Sequence, residues 1–458
     1  MIRLQLFLLC LAAPFGCAAT AGRSSYGRLD TDFNRSAPAP PGVLAGPSAE
    51  TSAQPALNTP ALGRAEFVRA VLRQNPTIES ARQGWRAALA RVHEAGVFDD
   101  PMVDLAIAPL SLGSSRASVG YEVGISQKLP WFGKRSLEAS AAAAEAEAAK
   151  NDFEAVRREL ALTAVGLYDR YFVTVRSLEI NAEHVELVQA MRGGATAQFE
   201  SGRGSAQDPL EAESELAHLE RDTAVLASQR GVVMAEMNEL LHRDPGETLP
   251  PPPPELALPA RPDVRDPGRL GALAVAGRPD IAAARQRARA EQARAERAGR
   301  DAYPDVTIST SYNSMWDMPE HRWMVGLGFD LPIQTGARTG AAEEATALRA
   351  RFESEARRLE ASARTQVFVS LEQLDESWHV LRLFEERLLP VARDQIDAAR
   401  AGFTASRNPF TAVVEAERNL RAVELDYQVA RAECDRRYAE LERALGRIPG
   451  LSGGGAVR

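Results

Sequence analysis

The feature that most restricts what this chain can become is that its plan is written twice. Asn75-Pro76-Thr77-Ile78 returns as Arg278-Pro279-Asp280-Ile281, and Asp100-Pro101-Met102-Val103 returns as Tyr303-Pro304-Asp305-Val306, both at an offset of 203. Leu129-Pro130 with Gly133 and Arg135 pairs with Leu331-Pro332 with Gly336 and Arg338, and Glu211-Ala212-Glu213 pairs with Glu415-Ala416-Glu417 at an offset of 204. One shared proline dipeptide is a coincidence, but anchors kept in order along a whole half are a duplication. The 458 residues, which length alone would divide into about three domains, therefore read as two copies of one unit.

Composition says what those copies are made of. Ala, Arg, Glu and Leu dominate long stretches, a bias toward extended helix, so an elongated molecule is expected. The 54 Lys and Arg against 62 Asp and Glu are intermixed, with a net charge of -8, so no basic face exists to offset phosphate charge and nucleic acid is excluded as a partner. Cys10, Cys17 and Cys434 cannot build a disulfide framework, because the first two fall in or beside a leader.

That leader is residues 1–21: Arg3 gives the positive start, Leu4 to Ala13 the apolar core, and small residues follow. Two processing sites compete, Ala19-Thr20-Ala21 for ordinary cleavage and Gly16-Cys17 for acylation of Cys17. Beyond it no apolar run reaches the roughly 20 residues of a spanning helix, so a membrane role would have to use strands. Residues 22–63 read as an irregular N-terminal extension, 245–267 with the run Pro250 to Pro254 as an extended linker, and 448–458 as a flexible tail.

The repeats then occupy 64–244 and 268–447. Each opens with a helix, Arg64 to Val97 and Gly268 to Ala302, passes through a hairpin at 102–129 and 305–331, and runs into a long antiparallel helix pair at 134–242 and 338–445. Val119, Tyr121, Val123 and Ile125 alternate with Gly, Ser and Glu, and Trp323, Val325, Leu327, Phe329 and Leu331 alternate with Met324, Gly326, Gly328 and Asp330. Val306, Ile308, Thr310 and Tyr312 share one face, while Met102 to Ala108 is less regular. Strands with one apolar and one polar face suit either a soluble hairpin or a barrel with lipid outside and water inside. Trp131, Phe132, Tyr303 and Trp316 at the strand ends favour the barrel, since aromatic rings settle at membrane interfaces. Four strands per chain cannot close a barrel, so the barrel would be shared among chains, eight strands for a dimer or twelve for a trimer.

From Lys134 to Phe199 only Gly166 and Gly193-Gly194 interrupt a helix that would reach on the order of 100 Å. Its counterpart, Arg338 to Phe403, carries Pro390 as a kink. Both turn back, through Ser201-Gly202-Arg203-Gly204 and Ser406-Arg407-Asn408-Pro409, and the two turns should lie together. A free-standing coiled coil would account for these helices but not for the alternating pairs.

The duplicated plan, with Arg278-Pro279-Asp280-Ile281, Tyr303-Pro304-Asp305-Val306, Leu129-Pro130-Trp131-Phe132-Gly133-Lys134-Arg135 and the tip turns followed by Glu-Ala, resembles the TolC family of outer-membrane efflux proteins from Arg64 to Arg447. The resemblance implies a mainly α fold with a small β part: long helices forming a periplasmic tunnel, and four strands per chain contributing to a twelve-stranded barrel of a homotrimer in the outer membrane of a Gram-negative bacterium. It implies a passive duct that docks a periplasmic adaptor and an inner-membrane pump. The Gly133-Lys134-Arg135 run looks most like the branch serving heavy-metal efflux with pumps of the resistance-nodulation-division type, ahead of drugs. A type I protein-secretion duct would look identical, and a periplasmic rod or lipoprotein without a pore is the alternative from another class.

Carried across, Asp208, Glu211 and Glu415 fall on the family's acidic gate positions, where threefold repetition makes carboxylate rings, while Ala412 replaces an acid expected in the second half. Gly202, Arg203, Arg407 and Asn408 fall on the turns that meet the adaptor. No nucleotide loop, dinucleotide fingerprint or nucleophile-base arrangement is present, so no enzyme activity and no cofactor are expected. Met315, Met318 and His321 read as loop side chains, and His93, His184, His218, His242 and His379 lack ligand spacing, so no metal site is assigned.

Overall fold

The computed structural model of the chain describes residues 19–36, 60–112, 118–258 and 266–451. Most of the leader, including Cys17, and the end of the tail lie outside these residues. The element order is α1 (Ala19–Ser36), α2 (Arg64–Gln74), α3 (Pro76–Ala95), β1 (Met102–Ile107), β2 (Tyr121–Leu129), α4 (Lys134–Glu200), α5 (Gln207–Leu240), α6 (Pro267–Gly277), α7 (Pro279–Arg300), β3 (Asp305–Asn313), β4 (Trp323–Asp330), α8 (Thr335–Leu383), α9 (Leu389–Thr404) and α10 (Phe410–Ala444). Gly166, Gly193 and Gly194 do not interrupt α4, which runs for 67 residues.

Three expectations need correction. The helix opening each repeat is two helices, broken at Asn75 and at Arg278. Both residues are extended (ψ 124° and 125°), because the proline that follows each of them clashes with an α conformation before it and has no N–H to give. The N-terminal extension is not irregular throughout: α1 buries Leu29 and Phe33, and Phe33 meets Trp85 of α3 edge-on at 5.0 Å. The tail begins packed, with Ile448 and Leu451 against the core and the Gly450 N–H donated to Glu442 at 3.0 Å. The linker is extended as expected but anchored: Leu249 and Leu256 are buried, and the carbonyls of Pro250 and Pro251 accept from Tyr171 and from the backbone of Leu62.

The repeats are not the compact units. One unit gathers described residues within 1–40, 81–153 and 280–359, the other those within 41–80, 154–279 and 360–458. Each therefore takes pieces from both copies, since α4 and α8 begin in the first and end in the second. The first holds the sheet. The second holds two apolar cores, one around Phe67, Val71, Tyr168, Phe172 and Met237, the other around Val188, Met191, Leu219, Ile396, Phe410 and Val413.

The duplication persists in the backbone. Gly202 (φ 73°) and Ser406 (φ 55°) occupy the left-handed position of the two tip turns, and His242 (φ 54°) and Gly446 (φ 77°) the same position after α5 and α10. Each of the four closes a helix by a hydrogen bond from the following N–H back over the last turn, as Arg203 to Gln198 at 2.9 Å and Arg407 to Gly402 at 2.8 Å. Pro390 is preceded by a π turn, Phe384–Leu388, in which the Leu389 N–H reaches back five residues to the Phe384 carbonyl. That turn removes the regular α bond that a proline in mid-helix would break.

Candidate functional site

The four strands form one antiparallel sheet in the order β1-β2-β3-β4. Its register sorts most side chains by chemistry. Val103, Leu105 and Ile107 lie opposite Ile125, Val123 and Tyr121. These in turn lie opposite Thr310 and Tyr312, and Leu129 opposite Val306. Phe329, Leu327, Val325 and Trp323 complete the row. Directly paired residues share a face, so this face is apolar from edge to edge except at Thr310 and at Gln127, which lies opposite Ile308. The other carries Asp104, Glu122, Gly124, Ser126, Lys128, Thr307, Ser309, Ser311, Gly326, Gly328 and Asp330. Strand β1 is less regular, as its sequence reads: Val103, Leu105 and Ile107 share the apolar face, but Met102 and Ala106, like Met324 of β4, stand with Asp104 on the polar one.

Within one chain that apolar face is uncovered. Val325 is 80% exposed, Trp323 68%, Leu105 67% and Leu327 65%, an arrangement soluble monomers avoid. The edges β1 and β4 carry open rows of backbone donors and acceptors. Both facts call for an apolar surrounding and for further strands.

The sheet is fastened to its helices where two of the repeated anchors meet. Lys134 at the start of α4 is buried, giving its ammonium to Asp305 at 2.8 Å and to the Tyr303 carbonyl at 3.0 Å, with Asp301 at 3.4 Å. The Trp131 N–H also binds Asp305, at 2.9 Å, and the Trp131 and Tyr303 rings stack at 5.5 Å. Lys128 bridges Asp330 at 2.8 Å and Asp305 at 3.6 Å on the polar face. Phe132 and Ile333, each 84% exposed, project beside these junctions.

At the other ends of the long helices the two tip turns do lie together. Gln198 donates to the Phe403 carbonyl at 3.5 Å, and Phe403 packs edge-on to Phe410 at 5.2 Å within the second apolar core. Asp208 accepts from the Ser205 N–H at 3.1 Å while Ser205 accepts from the Gln207 N–H at 3.2 Å, a reciprocal cap that starts α5. Glu211 accepts from Gln207 at 2.8 Å, and Glu415 is exposed on α10. Arg203, Arg407 and Asn408 are exposed, Arg203 touching only its own turn through Ser201 at 3.3 Å among the bonds described.

Sequence reasoning passed over the buried charges behind these tips. His184 of α4 is 3% exposed and sits between two acids of α10, Nδ1 at 2.8 Å from Glu417 and Nε2 at 3.0 Å from Glu424. Burial alone would strip its proton, but the two carboxylates outweigh it and raise the imidazole to about 9. In the first core, Arg64 pairs with the fully buried Asp435, beside Asp169. Burial, reinforced by the Asp435 charge and opposed by Arg64, pushes the Asp169 carboxyl well above its ordinary 3.8. Burial lifts the Cys434 thiol to about 11. No local signal announces these groups, because partners 233 and 240 residues apart leave no spacing to read.

Met315, Trp316 and Met318 are exposed in the β3 to β4 connection, where Trp316 meets His321 edge-on at 6.1 Å. Among the described residues no three His, Cys, Asp or Glu are grouped to hold a metal ion, and no helix is long and apolar enough to cross a membrane.

Comparison places this geometry. Residues 270–447 match the family model for outer membrane efflux protein. No curated protein matches the sequence. Among solved structures the chain is similar to the outer-membrane channel OprN (20% identity, TM-score 0.68, covering 84% of this chain and 89% of that one). It is likewise similar to the outer membrane protein VceC of Vibrio cholerae (17%, 0.70, 85% and 97%) and to the open state of the MtrE outer membrane channel of Neisseria gonorrhoeae (17%, 0.68, 85% and 89%). The uncovered two-faced sheet and paired helix tips thus belong to a chain whose residues 270–447 match the outer membrane efflux protein model and whose fold is that of the outer-membrane channels it is similar to.

Proposed function

We propose that this chain is a passive exit duct of a tripartite efflux system: a homotrimer whose sheets close a twelve-stranded barrel in the outer membrane and whose helices line a periplasmic tunnel. The observation that carries the reading is the sheet, predominantly apolar on one side, mostly polar on the other and open at β1 and β4. Hydrocarbon satisfies the first face, water the second, and two neighbouring copies the edges. An adaptor meets the tip turns at Gly202, Arg203, Arg407 and Asn408, and an inner-membrane pump of the resistance-nodulation-division type supplies the energy. Heavy-metal cations are the favoured substrate, drugs the next.

Asp208, Glu211 and Glu415 are the proposed gate acids. Glu415 is the strongest of the three, since its carboxylate is exposed while Asp208 caps a helix. Cys17 is the proposed acylation site. Helix α1 runs antiparallel to α3, with Tyr26 against His93 and Phe33 against Trp85, so its first residue lies about 10 Å beyond Tyr26 toward the segment entering β1, where a membrane surface is expected.

The test is electron microscopy of detergent-extracted protein with conductance in planar bilayers. A threefold particle that conducts once the tip acids are neutralised supports the duct; a monomer without a barrel overturns it. Adaptor and proton-driven pump genes beside this one favour efflux, and an ABC transporter would favour polypeptide secretion.

A further inference from the structure

His184 has an arrangement that a merely structural histidine does not need. A neutral imidazole carries one N–H, yet both ring nitrogens here face carboxylates at hydrogen-bond distance, so only the imidazolium satisfies both. Glu417 is entirely buried, and its Oε2 has no hydrogen-bond partner. Its charge is therefore held by His184 alone among the hydrogen bonds described. Glu424 is more open and has a second cation, Arg393 of α9, at 3.7 Å. From α5 the neighbouring charges are already matched: Glu215, also buried, binds Arg418 at 2.6 Å, and Asp222 binds Arg421 at 3.2 Å, while Asn181 of α4 binds the Leu219 carbonyl and Thr223. So among these groups the proton on His184 is the one whose loss leaves a buried carboxylate uncompensated.

Position gives that proton leverage. His184 lies 16 residues before the end of α4, and Glu417 lies seven residues into α10, in the stretch where α4, α5, α9 and α10 share the tip core. We propose that the His184–Glu417–Glu424 triad is a proton-controlled latch that ties α4 to α10 behind the tip turns, and that deprotonating it lets the helix ends part. The latch rests on the duct reading for its use, since parting tips would open the periplasmic end, but not for its existence. Below the titration of His184 the latch is closed; as pH rises through about 9 the imidazolium is lost, Glu417 is left charged and buried, and the junction loosens.

The experiment spin-labels Arg203→Cys and Arg407→Cys, both exposed, in otherwise full-length protein in detergent and measures their separation by pulsed resonance at pH 7 and pH 10, with bilayer conductance on the same samples. Wild type should show a narrow distribution at pH 7 that widens at pH 10. His184→Gln, which cannot carry the charge, should be wide at both, and His184→Arg, which never loses it, narrow at both. A wild-type distribution unchanged to pH 10, or a His184→Gln protein as narrow as wild type, overturns the latch; should His184→Gln fail to fold, the wild-type and Arg arms still decide. Tips that widen without any conductance leave the latch standing and overturn the duct.

Discussion

An arginine placed on either face of the sheet asks which side meets lipid. Val325 is the third residue of β4, opposite Thr310 of β3, on the apolar face and 80% exposed. Ser126 sits in β2 between Met102 and Ser309, on the polar face. If the apolar face is against hydrocarbon, Val325→Arg costs about 2–4 kcal/mol per chain near mid-depth. Three copies in the barrel then lose about 6–12 kcal/mol, comparable with the whole stability of many folded proteins. Ser126→Arg puts its guanidinium in water and should cost less than about 1 kcal/mol per chain. The assay is the fraction of protein recovered as oligomer from isolated outer membranes, by native gel and by light scattering of the extract. Val325→Arg should fall to a small fraction of wild type and Ser126→Arg should not. Equal recovery of both, or the reverse order, would mean that the apolar face packs on protein and would refute the assignment.

Other outcomes follow from the buried groups and the turns. Because Asp169 titrates above its ordinary 3.8 when folded, folding binds a proton there and stability falls as pH rises past that value. Asp169→Asn should therefore melt higher than wild type by a margin that grows as pH is raised above 3.8, whereas Arg64→Met, which strands Asp435, should lose about 3–5 kcal/mol. His184 has the same sense in a higher window: its contribution is complete below its ordinary 6.5 and is lost by about 9, a difference of about 3 kcal/mol visible as an alkaline fall in melting temperature that His184→Arg lacks. Ser406→Gly relieves a non-glycine residue at φ 55° and should gain about 1 kcal/mol in thermal unfolding. Glu211→Lys with Glu415→Lys should turn the open channel away from cations in reversal-potential measurements; unchanged selectivity would place both side chains off the conduction path.

What could be read from the residues was whatever repeats locally or at a fixed offset. Alternation at Tyr121 to Ile125 and at Trp323 to Phe329 marks strands because side chains change face at every residue, whereas the pairing of β2 with β3 that joins the two hairpins leaves no local signal. Proline misled in one place: Pro76 and Pro279 were visible as anchors, yet the helix breaks they cause went unread because helical periodicity resumes on the far side. Helix α1 was hidden by the Pro- and Ser-rich segment after it, although Tyr26, Leu29 and Phe33 are spaced for one helical face. At the tips the turns follow from composition, but that Ser406 takes the left-handed position does not, and that Asp208 caps α5 while Glu417 is buried against His184 depends on which way each helix is rotated, which small Ala-rich faces barely encode.

The π turn gives the duplication a ledger of its own. Arg135 and Arg338 stand 203 apart, whereas Gly202 and Ser406, and the helix ends His242 and Gly446, stand 204 apart, so the second copy has one more residue between strand and tip. Among the described elements of that stretch, Phe384–Leu388 is the turn that closes over five residues instead of four, and it absorbs the extra one. An additional residue in a regular helix would rotate everything beyond it by about 100° and carry Phe403 and the turn at Ser406 away from their partners. Deleting one residue inside 384–388 should thus be silent at the tip, while deleting one from the middle of α8 should unseat it: the second half keeps its phase by a local stutter.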